Sequence, residues 1–318
     1  MNKTATALLF VMFFLGISYP LTSQVHVVGY DGGIFEDDVD AVYWLNGRQT
    51  VLPKAGTWAQ AVSIAVSGSD VYIAGSDDDA VYWLNGQRTV LPQTGISAEV
   101  LSIAVSGSDV YIVGRDGDDA VYWLNGQQTV LPKTGILAKA CAIAVIGSDV
   151  YIAGYDGDDA VYWLNGQRTV LLRTYGESAQ ACAIAVSGSD VYIVGRDGDN
   201  AVYWLNGRRT ALPRTERSAV AMAIAVSGSD VHIAGFDRHA NDYTDAAYWL
   251  NGRQTVLPKT GIIAEAWAIA VIGSDVHIAG YEISSEGGSA AAYWLNGLQA
   301  ILPKTGITAG ASAIFVAR

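Results

Sequence analysis

Ala120-Val121-Tyr122-Trp123-Leu124-Asn125-Gly126 is a short apolar run that ends on Asn-Gly, and the chain contains seven variants of it. The tryptophans of these copies recur about every forty residues, at positions 44, 83, 123, 163, 204, 249 and 294. Asn-Gly between two alternating runs predicts a tight hairpin, because both central residues of a type I′ turn need a positive φ. The stretch therefore predicts one hairpin of a repeated β unit.

The remainder of each repeat supplies two more strands. Residues 63–66 (Ser-Ile-Ala-Val) form one predicted strand, and a Gly-Ser-Asp turn leads into a second strand at residues 71–75. We number the four strands of a repeat from first to fourth, beginning with the Ile-Ala-Val strand. Four short antiparallel strands in about forty residues are typical of a β-propeller blade. No segment shows the 3.6-residue periodicity of a helical repeat.

The two chain ends predict the number of blades. The first predicted strand pattern, residues 25–29, is a second strand, and the last, residues 312–316, is a first strand. We therefore predict an all-β fold, a seven-bladed propeller of four antiparallel strands per blade, whose C-terminal strand completes the N-terminal blade and covers its edge. An open array or β-solenoid is the alternative, although solenoid coils usually repeat at about 20–30 residues.

The composition bounds the class of protein. Of 318 residues, 51% are hydrophobic and 16% are charged, which excludes a disordered chain. The formal net charge of -12 argues against nucleic acid and anionic lipid as partners.

The N-terminus predicts export. Lys3 precedes an apolar stretch, Ala5 to Ile17, and small and polar residues follow as far as Ser23. We interpret residues 1–23 as a signal peptide and residues 24–318 as a single propeller domain. An uncleaved anchor is the alternative, but the apolar stretch is shorter than the roughly 20 residues of a spanning helix. The expected location is secreted, periplasmic or at the cell surface, with a monomer that does not enter the membrane after cleavage.

Differences between the seven copies indicate where a ligand could bind. They are concentrated in the loop between the second and third strands and in the link between blades, which emerge on one face. Aromatic, guanidinium and amide side chains on a rigid frame suit the recognition of an extracellular glycan or protein. Neutral drift at exposed loop positions is the alternative. The predicted ligand-binding residues are Tyr30, Trp58, Gln60, Glu99, Arg115, Lys139, Tyr155, Gln180, Arg196, Phe236, Glu265 and Tyr281.

The same face carries one carboxylate per blade directly after the second strand. These are Asp31, Asp77, Asp116, Asp156, Asp197, Asp237 and Glu282. Because hard oxygen ligands suit Ca²⁺, the pairs Asp116 with Asp118 and Asp156 with Asp158 are weak calcium candidates. They lack the order of an EF-hand loop, and Asp beside Gly more often forms a turn. We expect no other metal and no organic cofactor.

The cysteines and histidines fall into repeated positions. Cys141 and Cys182 share a slot that is mainly apolar elsewhere, so we interpret them as buried free thiols in a packing position. A disulfide is the alternative, but equivalent sites on neighbouring blades are usually too far apart for one. Three histidines replace tyrosines of the second strand, and only His239 is irregular, in a loop expected to be solvated.

Catalytic motifs are absent from the sequence. There is no Gly-x-Ser-x-Gly, no His-Glu-x-x-His and no phosphate-binding glycine loop. Carboxylates recur in every blade, whereas an active site needs singular residues, so we predict a non-enzymatic recognition protein. The alternatives are a propeller hydrolase or lyase acting on an extracellular polysaccharide, and a purely structural surface repeat protein.

Residues 147–154 (Gly-Ser-Asp-Val-Tyr-Ile-Ala-Gly) and 162–166 (Tyr-Trp-Leu-Asn-Gly) resemble the repeats of exported bacterial propeller-like proteins. Those repeats read Asp-Val-Tyr-Val-Ala-Gly and Tyr-Trp-Lys-Asn-Gly, and this chain differs in having Leu164 where lysine is common. The resemblance covers nearly all of residues 24–318. It implies a secreted or surface propeller, and it implies no catalytic residue and no substrate. The Gly-His and Trp-Asp pairs of WD40 repeats are absent.

Overall fold

The computed structural model describes residues 23–32, 38–95, 97–241 and 243–317. These residues form seven sheets, each of four antiparallel strands, so the predicted seven-bladed β-propeller is confirmed. The described residues contain no helix that could cross a membrane. The predicted signal peptide falls on residues 1–23, of which all but Ser23 lie outside the described residues.

Each blade contains one strand of each type, in the order first, second, third and fourth. Blade 1 contains β28 (Thr308–Ala317), β1 (Gln24–Gly32), β2 (Val39–Leu45) and β3 (Arg48–Val51). Blade 2 contains β4 (Gln60–Ser67), β5 (Asp70–Ser76), β6 (Ala80–Leu84) and β7 (Gln87–Val90). Blade 3 contains β8 (Ala98–Ser106), β9 (Asp109–Asp116), β10 (Asp119–Leu124) and β11 (Gln127–Val130). Blade 4 contains β12 (Ala138–Ile146), β13 (Asp149–Asp156), β14 (Asp159–Leu164) and β15 (Gln167–Val170). Blade 5 contains β16 (Ala179–Ser187), β17 (Asp190–Asp197), β18 (Asn200–Leu205) and β19 (Arg208–Ala211). Blade 6 contains β20 (Ser218–Ser227), β21 (Asp230–Arg238), β22 (Thr244–Leu250) and β23 (Arg253–Val256). Blade 7 contains β24 (Ile263–Ile272), β25 (Asp275–Ile283), β26 (Ser289–Leu295) and β27 (Leu298–Ile301).

Blade 1 is built from both ends of the described chain. Strand β28 pairs with β1 in antiparallel register, from Gln24 opposite Ala317 to Gly32 opposite Thr308. The first strand of blade 1 is therefore the last strand in sequence, as the chain ends predicted. This pairing covers the inner edge of β1 at the point where the ring closes.

The repeated tryptophan joins neighbouring blades. Trp123 of β10 is fully buried among residues of blades 2 and 3, including Leu91 and Val100. Its indole Nε1 donates a hydrogen bond of 2.8 Å to the carbonyl oxygen of Pro92, in the link that follows blade 2. All seven tryptophans of this strand are buried and make the equivalent bond to the preceding blade. The repeated tryptophans therefore form the core between neighbouring blades.

The two invariant turns of a blade are hydrogen-bonded to each other. Asn125, in the Asn-Gly turn, has a φ of 51° and Gly126 a φ of 81°, as a type I′ turn requires. The Asn125 side chain donates to Asp109 Oδ1 at 2.9 Å and accepts from the Val110 amide at 2.9 Å. The constant turns therefore lie together on one face, and the variable connections lie on the other.

Every first strand contains a β-bulge. In blade 4 the pairing of β12 with β13 shifts between Ala140 and Ala142, so that Cys141 has no partner on β13. A glycine of the second strand, Gly154, accommodates the close approach, because a Cβ placed there would lie 1.9 Å from the Lys139 carbonyl oxygen. The bulge explains why glycine occupies this position in every blade, at residues 29, 75, 114, 154, 195, 235 and 280.

We expect the substitution Gly154→Ala to destabilise the protein by about 3 kcal/mol, because the added Cβ must displace a backbone carbonyl. Gly107→Ala is the matched control: Gly107 has a φ of +62°, but a Cβ there would meet nothing within 4 Å. Its expected cost is about 1 kcal/mol, from the left-handed backbone alone. Urea unfolding of the two variants measures both costs, and equal costs would contradict the role assigned to the bulge.

Candidate functional site

The seven first strands enclose a central channel, a cavity of about 690 Å³. The unpaired residue of each bulge lines this channel. These residues are Val62, Leu101, Cys141, Cys182, Met222, Trp267 and Ser312. The slot that contains both cysteines is thus not a core packing position, and the interpretation of buried residues there is wrong. Both cysteines are only partly buried, and both are free thiols.

Three positions vary most between the copies: the residue directly after the predicted second strand, a residue of the link such as Trp58, and the residue two positions further on. The structure places the first and the third of them on neighbouring strands, directly opposite each other. Lys139 of β12 pairs with Tyr155 of β13 in blade 4, and the equivalent residues pair in each of the other six blades. The other pairs are Gly310 with Tyr30, Gln60 with Ser76, Glu99 with Arg115, Gln180 with Arg196, Val220 with Phe236, and Glu265 with Tyr281. We call these seven cross-strand pairs the rim. In each blade the rim residue of the first strand lies two positions before the channel-lining bulge residue.

Blades 3 to 5 make one part of the rim cationic. Glu99 accepts hydrogen bonds from Arg115 Nε at 2.8 Å and from Lys139 Nζ at 3.0 Å, so it connects two blades. In blade 5, Arg196 Nε donates to Gln180 Oε1 at 3.1 Å. This arc carries three cations and one carboxylate, and its side chains are only partly buried. Guanidinium and amide groups in this arrangement keep free donors for an acidic ligand.

Blades 7 and 1 make the opposite part of the rim aromatic. Glu265 Oε2 accepts a hydrogen bond of 3.0 Å from the indole of Trp267, whose ring packs edge-on against Tyr281 with centroids 4.8 Å apart. Burial raises the pKa of Glu265, although hydrogen bonds from Trp267 and Tyr281 oppose the shift. Burial and the neighbouring Glu265 together raise the pKa of Tyr281. Tyr30 lies over Gly310, where a Cβ would come within 2.6 Å of the tyrosine ring.

The twelve predicted ligand-binding residues are not equally placed. Phe236 belongs to the rim but is buried, and the Arg238 guanidinium lies 5.9 Å from the centroid of its ring. Gln60 lines the channel, and its side chain reaches Ser312 Oγ at 3.5 Å. Trp58 belongs to no rim pair: it is 41% exposed and forms an isolated backbone bridge with Val39. The structure therefore gathers eleven of the twelve into the rim.

Sequence comparison missed two residues beside the rim, Trp267 and Arg238. Trp267 occupies the bulge slot, where its aromatic character looked like core packing. Arg238 is the last residue of β21, the second strand of blade 6, and no other blade has an arginine at this position. Both contact predicted rim residues, since Trp267 bonds Glu265 and Arg238 lies beside Phe236.

The ring of carboxylates after the second strands is buried and hydrogen-bonded within each blade. Asp116 accepts hydrogen bonds from the Thr94 amide at 2.6 Å, the Gly95 amide at 2.8 Å and Gln128 Nε2 at 2.9 Å. Burial alone would raise the pKa of Asp116, but the bonds from Gln128, Thr94 and Gly95 lower it. Its equivalents are also nearly inaccessible to solvent. These acids therefore hold the incoming link against the blade and do not face a ligand.

A second set of acids on the same face is neutralised by cations. Lys54 Nζ lies 2.8 Å from Asp40 Oδ1, and Lys259 Nζ lies 2.6 Å from Asp245 Oδ1. Lys259 also donates to the backbone carbonyls of Thr244 and Ile262. Similar pairs join Lys133 with Asp119 and Arg173 with Asp159. The acidity predicted for this face is thus largely compensated away from the rim.

The calcium candidates occupy two kinds of position. Asp116 belongs to the buried ring described above. Asp156 accepts from the Thr134 amide at 2.7 Å and the Gly135 amide at 2.7 Å, and Arg168 Nε lies 2.7 Å from its Oδ2. Asp118 and Asp158 lie in the turns that follow these strands. Within the described ranges, no group of three or more His, Cys, Asp or Glu residues could hold a metal ion.

The histidines have structural partners. His26, His232 and His277 are buried, and each ring Nδ1 lies 2.7 Å from a tyrosine hydroxyl of the adjacent strand. Burial lowers the pKa of all three. His239 lies in a loop and is partly exposed, as expected, and its Nε2 lies 2.9 Å from Asp245 while its Nδ1 lies 3.1 Å from Glu216.

No protein-family profile and no curated protein matches the chain. Among solved structures, a putative 6-phosphogluconolactonase from Bacteroides fragilis is similar with a TM-score of 0.57 and 12% identity, over 95% of this chain and 100% of that one. A puromycin-hydrolyzing peptidase from Mycobacterium tuberculosis gives a TM-score of 0.58 at 10% identity, over 87% of this chain and 53% of that one. The computationally designed protein Ika8 gives 0.50 at 16% identity, over 90% of this chain and 86% of that one. At these identities the likeness shows the fold alone.

Proposed function

We propose that this propeller is a non-enzymatic recognition protein, secreted or displayed at the cell surface, that binds an acidic glycan at its rim. The observation that carries the proposal is the convergence of two of the three variable positions of the repeat into a single ring of cross-strand pairs. Neutral drift would scatter differences over the exposed loops. Here two of the variable positions lie on paired strands at the mouth of a channel, on a rigid frame where ligands commonly bind.

The charge of the rim favours an acidic ligand. The whole chain has a formal net charge of -12, yet the cations Arg115, Lys139 and Arg196 face only one carboxylate in their arc. The opposite arc offers Tyr30, Trp267 and Tyr281, whose ring faces suit the apolar side of a sugar. An aromatic surface opposite a cationic one fits a glycan that carries carboxylate or sulfate groups.

Export rests on the apolar N-terminal stretch and on the resemblance to exported repeat proteins, which both support a protein outside the cytoplasm. We expect a monomer, since the ring already pairs the edge at which its two ends meet.

The test is an array of neutral and acidic glycans probed with the full chain and with the variants Arg115→Gln, Tyr155→Ala and Arg196→Gln. We expect binding to acidic glycans that weakens about tenfold or more for each arginine variant, because each loses a charge-assisted hydrogen bond. Raising the salt concentration should weaken binding to a similar extent.

Arg253→Gln is the matched control, since Arg253 is an exposed arginine that follows the Asn-Gly turn on the constant face. It should bind as the unchanged protein does. Equal losses for Arg253→Gln and Arg196→Gln would indicate nonspecific charge attraction and contradict the proposal. Binding to an acidic protein, with no binding to any glycan, would contradict the choice of a glycan as ligand. Absence of all binding would contradict the recognition function and favour a purely structural protein.

A second function, a polysaccharide hydrolase or lyase, is favoured by one observation. Burial raises the pKa of Glu265, and both Trp267 and Tyr281 donate hydrogen bonds to it. This combination of residues occurs in blade 7 and in no other blade. A carboxyl group whose pKa is raised by burial is better suited to general acid catalysis than an exposed one. Incubating each bound glycan with the protein and measuring new reducing or unsaturated ends tests this function. Product release that Glu265→Gln abolishes, with binding retained, would favour the enzyme.

A further inference from the structure

We propose that Cys141, Cys182 and Met222 form a binding site for a soft monovalent cation, Cu(I) or Ag(I), within the central channel. The site lies deeper than the rim, two positions further along each first strand, and it does not depend on the proposed glycan.

The three sulfur atoms belong to equivalent positions of consecutive blades. Cys141, Cys182 and Met222 are the bulge residues of β12, β16 and β20, and all three line the same channel. Neighbouring first strands lie close together at this level: the Ile103 amide donates to Ser63 Oγ of the adjacent blade at 3.1 Å. Ser63 follows the bulge residue Val62, so blades 2 and 3 approach each other closely at the height of their bulges, and Cys141 and Cys182 occupy the bulge positions of the neighbouring blades 4 and 5.

The ligand chemistry selects soft cations. Thiolate and thioether sulfur bind Cu(I) and similar ions, whereas Ca²⁺ and Mg²⁺ require oxygen ligands. A structural zinc site would need four nitrogen or sulfur ligands, and the flanking bulge residues Leu101 and Trp267 offer no side chain of that kind for zinc. Two metal–sulfur bonds also span a longer gap than the disulfide bond of about 2.05 Å, which suits thiols on separate blades.

The surrounding charges suit an anionic complex of two thiolates. Lys139 and Glu99 lie near Cys141, and Arg196 lies near Cys182. An ordinary cysteine thiol is mostly protonated at neutral pH. One cation M⁺ replaces two protons: two S–H bonds break, two M–S bonds form, and the complex carries a charge of −1. Lys139 and Arg196 face this charge, together with Glu99, which is paired with Lys139 and Arg115. No oxidation state changes.

The test uses the reduced full chain under nitrogen, titrated with Cu(I) in competition with a chromogenic Cu(I) chelator. The chain has only two cysteines, so the thiol stoichiometry is unambiguous. We expect one Cu(I) per chain to be withheld from the chelator, with release of two protons. The apparent affinity should rise about a hundredfold per pH unit between pH 6 and 8, because two protons are released per ion.

Substitutions of the three proposed ligands test which side chains bind the ion. Cys141→Ser and Cys182→Ser should each weaken binding at least a hundredfold, and Met222→Leu about tenfold. Ser312→Ala, at the equivalent bulge of blade 1, is the matched control and should bind as the unchanged chain does. Protection of both cysteines from alkylation by Cu(I) is a second measurement that needs no variant. Retention of Cu(I) by both serine variants, or its complete transfer from the unchanged chain to the chelator, would overturn the proposal. So would reaction of the two thiols to a disulfide with no metal retained by the reduced form.

Discussion

Removal of Ala309–Arg318 is expected to abolish cooperative unfolding of the whole ring. Strand β28 supplies the first strand of blade 1, and its loss leaves the inner edge of β1 unpaired from Gln24 to Asp31. The strand also buries Ala309, Ala311 and Ile314 against blades 1 and 7, and Phe315 packs against the core that joins blades 1 and 2. Two inter-blade interfaces are therefore lost at once. An exposed inner edge would in addition favour aggregation.

Urea unfolding followed by tryptophan fluorescence, together with limited proteolysis, measures this effect. A circular permutant is the control: it keeps strand β28 and its pairing with β1 and changes only the positions of the chain ends. In it a Gly-Ser turn connects Ala317 to Gln24, as equivalent turns connect the first two strands in the other six blades, and the new ends lie at the turn between β8 and β9. The permutant should unfold cooperatively. A truncated chain as stable as the full one would show that blade 1 does not close the ring.

The fold could be predicted because its determinants are local and repeated. The Asn-Gly turn requires a positive φ at two successive residues, and the structure gives it in all seven copies. The alternating strands have a period of two, so their faces could be assigned without tertiary information. Blade number followed from counting complete and incomplete repeats.

The channel lining could not be predicted, because a bulge breaks that period of two. Cys141 follows Ala140 in a pattern that alternation alone assigns to the core, and the extra residue turns its side chain into the channel. One signal was present: a glycine such as Gly154 inside an otherwise regular strand indicates a bulge or close backbone approach. This glycine is constant in all seven copies, so the differences between copies do not reveal it.

The role of the acid ring depended on a contact between segments far apart in sequence. Asp116 followed by Gly117 reads locally as a turn on an exposed face. The structure shows that its oxygens accept the amides of Thr94 and Gly95, which lie in the preceding link. The recurrence of Thr-Gly in that link, at residues 94–95, 134–135, 260–261 and 305–306, is the sequence signal of the contact. The recurrent Thr-Gly pair can be interpreted only once the structure shows that the link contacts the carboxylate.

Trp123→Ala is expected to cost about 3–5 kcal/mol of unfolding free energy, since a fully buried indole leaves a large cavity between blades 2 and 3. The Pro92 carbonyl also loses its donor. Trp123→Phe keeps much of the volume and should cost about 1–3 kcal/mol, mainly for that unsatisfied carbonyl. The acceptor is the backbone and not the proline ring, because Trp204 makes the same bond at 2.7 Å to Leu172.

Trp58→Ala provides the matched control for the tryptophan at the blade interface. Trp58 is 41% exposed, whereas Trp123 is completely buried, so the same substitution removes far less buried surface. We expect a cost of about 1 kcal/mol at Trp58. Urea unfolding monitored by far-ultraviolet circular dichroism compares the three variants without relying on the indole signal that each of them alters. Equal losses at the two tryptophans would mean that stability does not depend on the inter-blade indole. The expected difference would instead show that the unfolding free energy depends on the buried tryptophan that all seven blades share. Rim residues could then differ between blades without loss of stability.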